Sequence, residues 1–430
     1  MRRLLLIFVA SFALLAGCGG DEAASGGGLA TGTWHARITL PGGDIESGIE
    51  ISHRNGIYAA NLINGQERVP IDEVRLVDDE LLLRFPAFNN EIRARLVDGQ
   101  LRGELVLTKS HGRTQSMPFR AAPGPERAAS AEAAPAASGV DMSGRWAVTF
   151  VEPDGSRSPS IGEFSQRGGR LFGTFLNPNG DFRYLAGHVS GSTFRLSTFD
   201  GAHAFMFTGR LAGDRIEEGR FWSGTEWYQE WTGVRDANAR LPDAYQRTHL
   251  KPGYERFEFD FPDENGERLA WDDPRFAGKV VVVTLAGTWC PNCHDEARFM
   301  APLYAKYRER GLEVVALMYE HFDDPERAAE QVRLFRKKFG IEYATLIAGT
   351  SSKTEAAATL PSLDAVLAFP TTIFIDRGGR VRRIHTGFNG PGTGEHYKAL
   401  TTELTALVEK LIAEPAGPLA TGTPADASTT

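Results

Sequence analysis

Two cysteines three residues apart, Cys290 and Cys293 in GTWCPNCH, carry the chemistry that this chain could perform. A C-x-x-C pair suits several tasks. As a dithiol it exchanges with disulfides: a thiolate attacks sulfur, a mixed disulfide forms, and the second thiol resolves it. With His294 next in the chain it also satisfies the C-x-x-C-H attachment pattern of a c-type haem. As a metal site it offers two thiolates and one adjacent imidazole, short of the four ligands that zinc takes. A purely structural staple is a poor explanation, because a bridge across so short a loop stabilises little.

The surrounding residues must place this pair. VVVVTLAG, just upstream, is a continuous β-branched run that suits a buried parallel strand. Downstream, Phe299, Leu303 and Tyr307 recur four apart on one helical face, and Gly311 is the stop. Cys290 then falls where strand gives way to helix, facing free N–H groups. Thiols at helix N-termini ionise more readily than free ones. Pro291 suits the first helical turn. LEVVALMY reads as a second buried strand. DDPERAAEQVRLFRKKFG reads as a second helix, capped by Asp324, with Pro325 in its first turn and Val332, Phe335 and Phe339 inside. TTIFID and RVRRIHTGF, joined by RGG, read as a hairpin, and a last helix runs from about 394 to 412. The order is β-α-β-α-β-β-α, with strands separated by helices expected to run parallel.

Residues 257–413 resemble the thioredoxin-fold domain of TlpA/ResA-like thiol–disulfide oxidoreductases, in the redoxin superfamily. The likeness rests on the apolar strand, TWCPNC at a helix start, and FPTTIFID about eighty residues later. It implies an α/β thioredoxin-like unit in which Cys290 is the nucleophile, Cys293 the resolving thiol, and the two form the redox disulfide. It implies a cis Phe369–Pro370 peptide beside them, presenting the Phe369 backbone to an extended substrate. Trp289 and Thr371 complete the support. Neither a cofactor nor a metal is implied. The chain departs from the family twice. Thr284 stands six residues before the nucleophile, where relatives carry a buried Asp or Asn, so proton handling passes to water or another side chain. Glu296 matches a family acid and is the candidate, against the alternative of a solvated glutamate favoured by the helix dipole. Arg298 stands where relatives have proline, and Pro302 follows later. The enzymatic rival is a redoxin-type peroxidase, suggested by Thr288; a non-enzymatic envelope scaffold is the other. A haem domain has no need of the strand or of FPTTIFID.

The whole chain has 430 residues, 42% hydrophobic and 24% charged, with net charge −8. That balance excludes a nucleic-acid platform. MRR followed by LLLIFVASFALL reads as an export signal, residues 1–17. It ends in LAGC, which resembles the lipobox of bacterial lipoproteins. The resemblance implies lipidation of Cys18, a tether over 18–30, and a lipid-anchored place in the cell envelope facing the periplasm. Gly19, in place of an aspartate, favours the outer over the inner membrane. Two segments that open TGTW and SGRW look like copies of one antiparallel all-β module, a small barrel or sandwich, at 31–120 and 143–236. An Ala/Pro/Ser linker spans 121–142, a connector 237–256, and a disordered tail 414–430. The G-x-W opening resembles lipocalin-like barrels; a filled interior is expected over a ligand cavity. The whole reads as an exported reductase. Its partners would be cysteine-containing envelope proteins and a membrane or periplasmic thiol electron donor.

Overall fold

The computed structural model describes residues 29–124 and 140–415. The signal segment 1–17, Cys18, nearly all of the tether, most of the linker and most of the tail lie outside the described residues.

Strict two-residue alternation builds the first sheet. In Gly32–Leu40, Trp34, Ala36, Ile38 and Leu40 turn inward and the residues between them outward. Nine antiparallel strands follow one another through Thr114–Pro123, which pairs back onto Gly32–Leu40. The two end strands of this order, Glu67–Pro70 and Glu73–Val77, are not paired to each other, so the sheet is only half closed. Phe199, Ala202, Ala204 and Met206 of the second sheet join its apolar core.

The second sheet, Gly144–Val151 to Trp227–Arg235, closes completely. Arg157–Arg167 pairs with both Gly144–Val151 and Arg170–Asn177, and Trp227–Arg235 pairs back onto Gly144–Val151. Eight of its nine strands form the ring; Gly180–Asp181 pairs only with Arg170–Asn177. The interior is packed with rings: Phe175 lies 4.6 Å from Phe207 and 5.2 Å from Trp231, centroid to centroid. The two sheets begin alike. Gly32 and Gly144 have φ of +108° and +113°, which favours glycine, and two residues on a buried indole follows each. Trp34 Nε1 donates to Ala30 O and Trp146 Nε1 to Met142 O, each four residues back.

The C-terminal α/β unit has five strands in the order Ala344–Thr350, Leu312–Glu320, Val280–Ala286, Thr371–Ile375, Val381–Thr386. Every residue of Val280–Ala286 is buried, as continuous apolarity requires of a central strand. Four helices accompany the sheet: α1 (Pro291–Tyr307), α2 (Pro325–Phe339), α3 (Lys353–Thr359) and α4 (Glu395–Ala413). Asp324 caps α2, and Gly311 has φ +95° just beyond α1 and its short 3₁₀ extension. One expectation is corrected. Thr371–Ile375 runs antiparallel to Val280–Ala286, not parallel. The parallel partner that follows α2 is Ala344–Thr350, and α3 with the loop after it reverses the chain before Thr371. The connector packs on this unit through the Leu250–Leu363 bridge and the Thr386–Thr248 hydroxyl bond of 3.0 Å.

Candidate active site

Cys290 is the N-cap of α1, with extended backbone, and Pro291 opens the helix. Its Sγ accepts from Cys293 N at 3.2 Å and donates to Phe369 O at 3.4 Å. The Phe369–Pro370 peptide is cis. Thr371 Oγ1 donates to Ala368 O at 2.8 Å and pins the loop that carries it. Trp289 donates through Nε1 to Tyr319 O at 2.8 Å, stacks on His321 and meets Phe369 edge-on. Cys290 is 5% exposed and Cys293 fully buried, and both are free thiols. Burial, then the hydrogen bond with Cys290, pushes the Cys293 thiol well above the ordinary range, so it holds its proton.

Glu296 is the buried acid rather than a solvated first-turn glutamate. Thr284 and Thr372 face each other across the ladder, and both hydroxyls donate to the Glu296 carboxyl. Burial raises this carboxyl to about 7, against the opposing pull of the two hydroxyls. Thr284 is thus no base itself; it holds one. The structure brings Phe369, Pro370 and Thr371 to Cys290 and Cys293, and joins Thr284 to Glu296; Cys18 lies outside the described residues.

Sequence reasoning missed Thr372 and Glu320. Strand alternation could have found Thr372, since it faces opposite to Thr371. Glu320, at the end of its strand, reads as an ordinary exit residue. It accepts from Thr288 N at 3.0 Å and from the Thr288 hydroxyl at 2.5 Å. The hydroxyl that a peroxidase would aim at Cys290 is therefore engaged elsewhere. His294 is likewise committed: Nε2 lies 2.6 Å from Thr288 O, and its ring stacks 4.0 Å from Phe88 of the first sheet. That leaves it poorly disposed as an axial haem ligand.

Glu320 gives a pH-dependent prediction. It is 1% exposed, and burial raises its carboxyl from 4.5 to about 7. Below pH 4.5 both folded and unfolded chains hold the proton. Between about 4.5 and 7 only the folded chain holds it, and above 7 the folded chain must bury the charge. Stability from this group therefore falls as pH rises through that window. Glu320→Gln does not titrate; its Oε1 can still accept from Thr288 N, and its Nε2 can donate to the Thr288 hydroxyl oxygen. It should be near neutral at pH 4.5 and stabilising by up to about 3 kcal/mol at pH 8. Urea unfolding at the two pH values checks this; an equal effect at both contradicts it.

A buried charge junction ties the three parts together around Arg183. Its Nη1 pairs with Asp295 of α1, its Nη2 lies 2.8 Å from Glu67 of the first sheet, and its Nε lies 3.3 Å from Asp200 of the second. Arg298 holds the other Asp295 oxygen at 2.8 Å. Among the described residues no group of three or more His, Cys, Asp or Glu could hold a metal ion.

A strand, a cysteine-capped helix and a cis-proline loop meeting at one sulfur pair define a thioredoxin-like thiol–disulfide oxidoreductase. The Redoxin family model matches residues 237–400. The thiol-disulfide oxidoreductase ResA of Bacillus thuringiensis subsp. konkukian is 30% identical over 132 residues, 31% of this chain and 68% of that protein. A ResA of Bacillus cereus is 33% identical over 135 residues, 31% of this chain and 68% of its own. A solved thioredoxin-family thiol:disulfide interchange protein from Chlorobium tepidum TLS aligns with 38% of this chain and 99% of its own, at 18% identity and a TM-score of 0.29. The chain belongs to the redoxin family, among the ResA-like thiol–disulfide oxidoreductases. The first and second sheets, which end at Arg235, lie outside the family match.

Proposed function

We propose that this chain is an extracytoplasmic reductase of disulfides in envelope proteins, held to a membrane by lipid on Cys18. The Cys290 thiolate attacks one sulfur of a substrate disulfide, forming a mixed disulfide and releasing the other substrate sulfur as thiolate. Cys293 gives up its proton and attacks Cys290 Sγ. The Cys290–Cys293 disulfide forms, the second substrate thiolate leaves, and two electrons have passed to the substrate. Glu296, whose charge also raises the Cys293 thiol, is the acceptor for that proton. A membrane or periplasmic dithiol then restores the reduced pair.

The observation that carries this reading is the asymmetry of the pair: Cys290 caps the helix under the Phe369 carbonyl, while Cys293 is buried and protonated. The reducing direction rests on the likeness to the ResA-like thiol–disulfide oxidoreductases. The division into modules at 31–120 and 143–236 and a redox domain at 257–413 belongs to this reading, as does the outer membrane as its site.

Cys293→Ser tests it. Without the resolving thiol, the mixed disulfide on Cys290 should accumulate and survive non-reducing electrophoresis. Adducts that form only in the reciprocal Cys290→Ser variant would reverse the roles.

A further inference from the structure

Cys290 lies at the floor of a cleft of 360 Å³, the small end of the range for ligand sites. One wall is the redox unit, with Trp289, Phe369 and Lys353. The facing wall is the rim of the closed barrel, with Glu152, Ser158, Asn179, Phe182 and His203. The rim is fastened to the redox unit at several points. Asp181 Oδ2 accepts from Gly390 N at 2.6 Å and lies 3.4 Å from Asn292 Nδ2, within the C-P-N-C motif itself. Arg247 donates to Pro178 O and, at 3.2 Å, to Asn179 Oδ1. Gly180 approaches so closely that a Cβ there would fall 2.1 Å from Asn292 Nδ2.

We propose that the rim of the second barrel is a specificity wall of the redox site. It admits cysteines on extended, flexible segments and rejects those on folded surfaces. The inference rests on the reductase reading and adds a selection that the redox unit alone does not make. Attack at sulfur needs the substrate disulfide to reach Cys290 between the rim and the Phe369–Pro370 loop. An extended segment fits between the two walls; the flank of a folded protein meets the barrel first. Narrowing the wall therefore slows peptides, and loosening it lets folded carriers in.

The test uses the full reduced chain and one leaving group on two carriers. A short peptide and a folded protein each carry a single cysteine as its mixed disulfide with 5-thio-2-nitrobenzoate. Each reaction oxidises Cys290–Cys293 to the disulfide and yields the carrier thiol and thionitrobenzoate, read by absorbance. Rates are divided by those of dithiothreitol on the same carrier. The wild-type chain should favour the peptide by about tenfold or more. Arg247→Ala, which removes the two bonds holding Pro178 and Asn179 and so loosens that stretch of the rim, should bring that preference to about threefold or less, and Ser158→Trp, which fills the cleft, should slow the peptide about tenfold. A wild-type preference near one, or one that neither variant shifts, overturns the wall. A chain whose cysteine pair does not cycle with dithiothreitol at all would instead overturn the reductase reading.

Discussion

Cys290→Ser should lower thiol–disulfide exchange by about three orders of magnitude or more while leaving the fold intact. The serine hydroxyl does not ionise in the range where a thiol does, so the attacking anion disappears. Cys293 cannot stand in, because it is fully buried and holds its proton. The helix suffers little, since serine is among the preferred N-caps and can accept from the Cys293 N–H as the sulfur does. Stability should stay within about 1 kcal/mol of the parent. Turnover of a disulfide peptide with a dithiol donor, beside a urea unfolding curve, separates the two effects. Residual turnover above a tenth of the parent rate would place the nucleophile elsewhere.

Arg183→Met should be the most damaging single change to stability. The guanidinium serves one carboxylate from each of three parts of the chain: Glu67, Asp200 and Asp295. Methionine fills much of the volume but leaves those carboxyls without their shared cation. Breaking one side of a buried ion pair costs about 3–5 kcal/mol. Burial already raises Glu67 and Asp295, with Arg183 as the principal opposing influence. Its removal raises them further, so the variant should lose more stability at pH 8 than at pH 5. The first unfolding transition in urea, followed at both pH values, measures this. A loss under about 1 kcal/mol, or one independent of pH, would make the junction an ordinary surface-like pair.

The redox unit was legible because its signals are local. The β-branched run, Cys-Pro at a helix start and Phe-Pro before a short, wholly buried strand each need only a few neighbouring residues. The same holds for Trp34 and Trp146, whose Gly-x-Trp openings mark the start of each sheet. What escaped was either weakly patterned or distant in sequence. Ala344–Thr350 is short and rich in small residues, so its strand character comes from pairing with Leu312–Glu320 and not from its own pattern. Glu296 could be named but not placed, since its burial depends on Thr284 and Thr372 from two separate strands. Arg183 and Asp295 lie 112 positions apart, and no spacing rule links them. The rim over Cys290 was hidden for the same reason: it exists only once the closed barrel docks on the redox unit.

Equilibration of the full chain against dithiothreitol and glutathione buffers, with free thiols counted by alkylation and mass, bears most directly on the central claim. Cys290 and Cys293 should lose their thiols together in one two-electron transition, at a potential close to or below about −270 mV. Thiols that titrate separately, that stay free under every oxidant tried, or that pair only near about −120 mV would contradict a buried-thiol reductase couple.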